Sequence, residues 1–257
     1  MVSERGDERD GDIGSILLQR LTVEAARARQ SGSSLLVGVT GSVSVGKSTT
    51  SAELVDRLRA DGLEVASMSG DSFLLSNARI EEAGLTMRKG FPETYDAQTM
   101  RDALVQLRFG RAVPVPVYRH DVYDIVPGQL ETVGPAEVVV VDGLHLGLLA
   151  RDLLDVLIYL HADEATLRRF YTARFERQVA DAVAAEAAGE GRSFYSGFAS
   201  LGPSELRDVA EMLWTTINLV NLQEHIAADR ERADLVITFD DAHRVAAVED
   251  RRPPVST

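Results

Sequence analysis

Cysteine is absent from the 257 residues, and lysine nearly so. Without thiols the chain has neither a disulfide framework nor a cysteine-based metal centre. No run approaches the ~18 apolar residues needed to span a bilayer. The opening stretch Met1–Gly14 is acidic and polar, so it predicts no secretory signal and a cytoplasmic location. What is present is a 45% hydrophobic content, which excludes wholesale disorder and suffices for the core of an α/β domain.

Lysine and arginine together number 27, yet lysine stands only at Lys47 and Lys89, leaving 25 arginines. Arginine-favouring codon usage explains the 25. The two exceptions are informative because lysine is a thin stem with a compact charge, whereas arginine ends in a wide, flat fork. A tightly wrapped site accepts only the first. The net charge of −13 argues against a nucleic-acid partner, since the phosphate backbone supplies most non-specific affinity. Basic residues are grouped locally, as Arg88 with Lys89, Arg168 with Arg169, and Arg174 with Arg177. Such groups suit a small anion or a solvated helix face.

Along the chain, residues 1–14 read as a disordered leader and 251–257 as a flexible tail, with the segment from Arg244 onward an exposed end. A helical pattern follows the leader, with Ile16, Leu17, Leu21, Val23 and Ala26 as its apolar positions. The run 34–40 (SLLVGVT) has the length and β-branching of a buried parallel strand. Further strands are expected at 63–68, 137–141, 156–160 and 234–239. Helices are expected at 47–60, 97–109, 164–188 and 203–228, with 182–191 a helix end running into a loop. Alternating strands and helices imply an α/β fold, a doubly wound and mostly parallel sheet covered on both faces. With no repeats or linkers, residues 15–250 read as one domain.

Directly after the first strand stands Gly41-Ser42-Val43-Ser44-Val45-Gly46-Lys47-Ser48-Thr49, which matches G-x-x-x-x-G-K-[ST] between a strand and a helix. Two glycines let the loop wrap, so that backbone N–H groups point at phosphate oxygens and the next helix adds its positive end. Lys47 then reaches the β- and γ-phosphates, and Ser48 is placed to ligate Mg²⁺. The run 138–141 ends in Asp142, an acid suited to the metal's neighbourhood, although acids often end buried strands in α/β folds. Asp71 follows the strand at 63–68, in the crevice where parallel sheets bind ligands. There it could orient a hydroxyl and accept its proton; a turn or helix-cap aspartate is the plainer alternative.

With these residues in view, the sequence resembles the type I (prokaryotic) pantothenate kinase family, within the group that holds uridine kinase and phosphoribulokinase. The resemblance rests on 41–50, 70–74 (GDSFL), 84–96 (GLTMRKGFPETYD), 114–126 (PVPVYRHDVYDIV), 140–144 (VVDGL), 170–175 (FYTARF), 214–222 (WTTINLVNL) and 230–233 (RERA), before His243. It implies a P-loop NTPase-type fold, ATP and Mg²⁺ as cofactors, a small-molecule alcohol as substrate, and a homodimer. It implies Asp71 as base or orienting carboxylate, with Lys47 and Arg174 stabilising charge on the transferring group. Ser48 and Asp142 would hold Mg²⁺, although the family has glutamate where Asp142 stands. His120, Tyr171 and Asn218 match positions that hold pantothenate; Tyr118 and Lys89 lie in the same matching stretches, and His243 matches a residue beside the adenine. Helical spacing independently places Tyr171, Arg174, Phe175 and Gln178 on one stripe, and Trp214, Asn218, Asn221 and His225 on another. His145, His161 and His225 show no ligand spacing and read as structural or surface residues.

The sequence also departs from the family. An arginine associated with feedback by coenzyme A is Ala52 here, and the family's TDGF is GDSF. Its YSH is Tyr118-Arg119-His120, and its EGLN is Asp142-Gly143-Leu144-His145. One aromatic of the acceptor wall is Gln178 and another position is Val183, while the segment before Ser193 is longer. The leading expectation is phosphorylation of pantothenate to 4'-phosphopantothenate, in coenzyme A biosynthesis. A divergent paralogue acting on a nucleoside or another hydroxylated metabolite is the alternative, and a nucleotide-dependent switch is a third.

Overall fold

The computed structural model describes residues 7–189 and 191–252. Helix α1 (Asp7–Gln30) leads into strand β1 (Leu35–Gly41), all seven of whose residues are buried. There follow α2 (Lys47–Ala60), β2 (Val65–Ser69), the short α3 (Asn77–Glu82) and α4 (Ala97–Arg108). A hairpin, β3 (Val113–Arg119) and β4 (Asp124–Val133), precedes β5 (Val138–Asp142). Then come α5 (Leu146–Leu149), β6 (Val156–His161) and α6 (Glu164–Ala187). The chain finishes with α7 (Pro203–Leu213), α8 (Leu219–Glu224), α9 (Asp229–Arg232), β7 (Leu235–Phe239) and β8 (Val245–Asp250).

The main sheet runs β2-β5-β1-β6-β7-β8. Its first five strands are parallel, and β8 pairs antiparallel with β7. Near-continuous valine, leucine and isoleucine in β1, β5 and β6 follow from burial on both faces. Helices α1 and α2 pack together beside β1, while α4, α5 and α9 also reach it, and helices cover both faces. The register aligns Val39 and Ser69 with Asp142, so the carboxyl ends of β1, β2 and β5 share one edge. There the backbones of Gly70 and Gly143 close together, and a Cβ on Gly70 would stand 3.2 Å from Gly143 Cα.

Several expectations need correction. The helix begins at Asp7, so the expected disordered leader is helical from there on, because the ladder of the apolar segment continues through it; Met1–Gly6 lie outside the described residues. Its buried positions include Leu21 and Ala25, while Val23 is exposed. The segment after Arg244 is not an exposed end but β8, whose Val245 and Val248 pack against the core. The tail is tied down at its start, where Arg252 donates from Nη1 to both Glu24 oxygens at 3.1 Å; 253–257 lie outside the described residues. The β3–β4 hairpin was not expected, and the single helix expected over 203–228 is instead α7, a π-turn at Trp214–Asn218 and α8.

Candidate active site

The loop after β1 is shaped by backbone that only certain residues allow. Gly41 sits at φ 146°, where a Cβ would come within 2.5 Å of the Leu160 carbonyl oxygen. Gly46 sits at φ 100° and opens α2 without a side-chain cap, which leaves the helix's first N–H groups free for an anion. Val45 is fully buried and Val43 partly so, anchoring the loop to the core, while Thr49 faces solvent. The hydroxyls of Ser42 and Ser44 are buried without a hydrogen-bond partner, the condition of a cradle shaped for an oxyanion.

Lys47 threads this loop. Its ammonium donates to the carbonyls of Gly41 at 3.2 Å and Ser42 at 2.8 Å. Burial pushes its pKa down to about 8, partly offset by the charges of Asp71 and Asp142. Ser48 donates to Asp142 Oδ2 at 2.8 Å. Burial raises the Asp142 carboxyl above the usual range, while the Ser48 hydroxyl and Lys47 oppose it. Asp71 follows β2 in a single 3₁₀ turn whose start is capped by Ser69, and Tyr95 donates to Asp71 Oδ1 at 3.4 Å. Arg174 lies half-buried on α6 near enough to Lys47 to depress its pKa, with no hydrogen-bonded or ion-paired partner among the described residues.

Against the β3–β4 hairpin, Lys89 donates to Asn77 Oδ1 at 2.5 Å and to the Tyr123 carbonyl. Its ammonium lies 4.1 Å from the centre of the Tyr123 ring and 5.3 Å from that of Tyr118. Burial lowers its pKa to about 8, against the pull of Asp124 and Asp71. His120 stands exposed at the hairpin tip with its ring edge-on to Tyr118. Tyr171 is pushed up to about 12 by burial and lies within hydrogen-bonding reach of Asn218, whose amide also donates to Leu213 O at 3.1 Å. Burial raises Tyr195, and the nearby Gln178 amide opposes that shift. The hairpin tip is held to the segment after α6 by the Tyr123–Phe194 stack, centroids 4.5 Å apart, and by Phe194 N donating to Asp121 O at 2.7 Å.

His243 stacks on Phe170 with centroids 3.4 Å apart and lies beside the Ser44 backbone, so it borders the phosphate loop. Val183 is 44% exposed on α6. Trp214 is core, against Tyr171. His145 is buried, and His225 packs against Phe91 and His145. Sequence reasoning missed Tyr95 beside Asp71 and Tyr123 and Asn77 beside Lys89; Tyr95 and Tyr123 lie in the long matching stretches, whereas Asn77 lies outside them and carried no signal. Among the described residues no helix is long and apolar enough to cross a membrane.

A phosphate cradle and a carboxylate facing an aromatic, amide-lined wall define a P-loop phosphotransferase acting on an alcohol. The chain belongs to the phosphoribulokinase/uridine kinase family, whose model matches residues 36–170, and within it to the type I pantothenate kinases. It is 38% identical to a pantothenate kinase of Sorangium cellulosum, over 84% of this chain and 72% of that protein. It is 33% identical to a pantothenate kinase of Streptococcus agalactiae, over 82% of this chain and 70% of that protein. A D-glycerate 3-kinase structure from Cryptococcus neoformans shares the fold alone, with a TM-score of 0.60, 14% identity, and coverage of 93% of this chain and 99% of that one.

Proposed function

We propose that this chain transfers the γ-phosphoryl group of ATP to the primary alcohol of pantothenate, giving 4'-phosphopantothenate for coenzyme A synthesis. The observation that carries the proposal is that Asp71, held by Tyr95, lies close enough to bias the charge of both desolvated Lys47 in the phosphate loop and Lys89 beside the hairpin. The acceptor oxygen attacks the γ-phosphorus, the bond to the β-γ bridging oxygen breaks, and Asp71 orients the hydroxyl and takes its proton. The loop N–H groups, Lys47 and Arg174 stabilise charge on the transferring oxygens, which is most of what such a reaction asks of a protein. His120, Tyr118, Tyr171, Asn218 and Lys89 hold the acceptor, and His243 borders the adenine.

The Ser48 hydroxyl and Asp142 carboxylate are hard oxygen donors too few to cage a metal, the set expected for an ion that keeps waters and phosphate oxygens. They would hold Mg²⁺, which when bound neutralises phosphate charge. Residues 15–250 act as one catalytic unit, and we place the protein in the cytoplasm as a homodimer; light scattering on the purified chain tests the dimer.

A second reading keeps the chemistry and changes the acceptor. Gln178, whose amide lies beside Tyr195, makes that wall more polar, which suits a hydroxylated acceptor such as a nucleoside. Turnover of ATP against pantothenate and a nucleoside panel, with products identified by mass, separates them. Pantothenate as the best acceptor supports the proposal; no phosphopantothenate, with a nucleoside phosphorylated, overturns it.

A further inference from the structure

One buried ring connects the two halves of this site. His145 lies three residues past Asp142 and is fully buried, at φ 61° in the turn that opens α5. Its Nε2 stands 2.8 Å from the Gly90 carbonyl oxygen, so Nε2–H donates and Nδ1 is bare, buried and unpartnered. The same carbonyl accepts from Asn221 Nδ2, also at 2.8 Å. Two donors from separate elements thus fill one oxygen, immediately after Lys89. The His145 ring also meets Tyr95 edge-on, centroids 5.9 Å apart, and Tyr95 donates to Asp71. Burial lowers the imidazole's pKa to about 4, so the ring is a neutral donor throughout the physiological range.

We infer that His145 is a positioning residue, which with Asn221 clamps the Gly90 carbonyl and so sets Lys89, and through Tyr95 Asp71, against the acceptor. An ordinary core histidine would satisfy its ring and stop there. Here the clamp joins the strand end that carries Asp142 to the loop that carries Lys89, and leaves a ring nitrogen orphaned to do so. The part of the inference that concerns catalysis rests on the kinase reading above; the clamp on Lys89 does not.

Because the chain has only two lysines, protein labelled with [ε-¹³C]lysine gives two side-chain signals, and Lys89→Arg identifies which belongs to Lys89. In His145→Leu, which keeps apolar bulk and loses the donor, the Lys89 signal moves and its titration midpoint rises towards that of an ordinary lysine. The Lys47 signal stays. In the same variant kcat/KM for the acceptor falls ~10–100-fold, as for lost supporting contacts and sub-ångström misplacement, with ATP affinity unchanged. His145→Gln, whose amide nitrogen reaches about where Nε2 sits, restores both readouts to near wild type. His145→Asn, one bond shorter, does not. If His145→Leu does not fold, Asn221→Leu removes the other donor and carries the same expectations. A Lys89 signal unmoved in a folded variant overturns the inference. Wild-type protein that phosphorylates no acceptor overturns the kinase reading instead, with the lysine spectrum still deciding the clamp.

Discussion

Ser48 donates to Asp142 across 2.8 Å, joining the first turn of α2 to the last residue of β5. One residue contributes a hydroxyl from the phosphate loop and the other a carboxylate from the sheet edge, the pair proposed to hold a divalent ion. Asp142→Ala is expected to raise the Mg²⁺ concentration for half-maximal activity by ~10-fold or more. Asp142→Glu retains an oxygen donor and most of the activity. Magnesium titrations of the rate check both.

Lys47 has no room for a fork. Its ammonium is already seated between two loop carbonyls. Lys47→Arg is expected to keep the fold and lower kcat by ~10²–10³-fold, the scale of losing a preorganised charge in the transition state. Steady-state rates with a thermal melt check it.

Lys89 is expected to tie activity to pH. Its pKa is lowered to about 8, so its charge is present below that pH and lost above it. At saturating ATP, kcat/KM for the acceptor therefore falls with slope −1 on a logarithmic plot above about pH 8. Lys89→Arg lowers the plateau and flattens that limb, because a guanidinium stays charged. A pH–rate profile of both proteins tests this.

Gly147 tests the packing beneath the loop. A Cβ there would stand 2.5 Å from Asp229 Oδ1, and Asp229, fully buried, accepts from Gly147 N at 3.0 Å and from Thr40, which precedes the phosphate loop. Gly147→Ala is expected to cost ~1–3 kcal/mol of stability by overpacking. Chemical denaturation measures it.

Burial on both faces wrote β1, β5 and β6 into the sequence as plain apolar runs, and the loop motif announced α2, found at the expected residues 47–60. The β3–β4 hairpin was illegible because Pro114 and Pro116 argue against a strand and few of its positions are buried. β8 is an edge strand whose charged residues hide its alternation. The π-turn at Trp214–Asn218 inserts a residue into the helical period, which spacing alone does not reveal. Lys47, Ser48, Asp71 and Asp142 were legible because a motif or a strand end marks each. Tyr95, Tyr123, His145 and Asn221 join the site through contacts between distant parts of the chain, which no local pattern records.

The most direct test of the account is Asp71→Asn, measured for phosphoryl transfer to pantothenate and for ATP binding on the same preparation. The account predicts a loss of ~10²–10⁴-fold in kcat, the usual contribution of a general base, with ATP affinity unchanged. Wild-type transfer by the folded variant would contradict it.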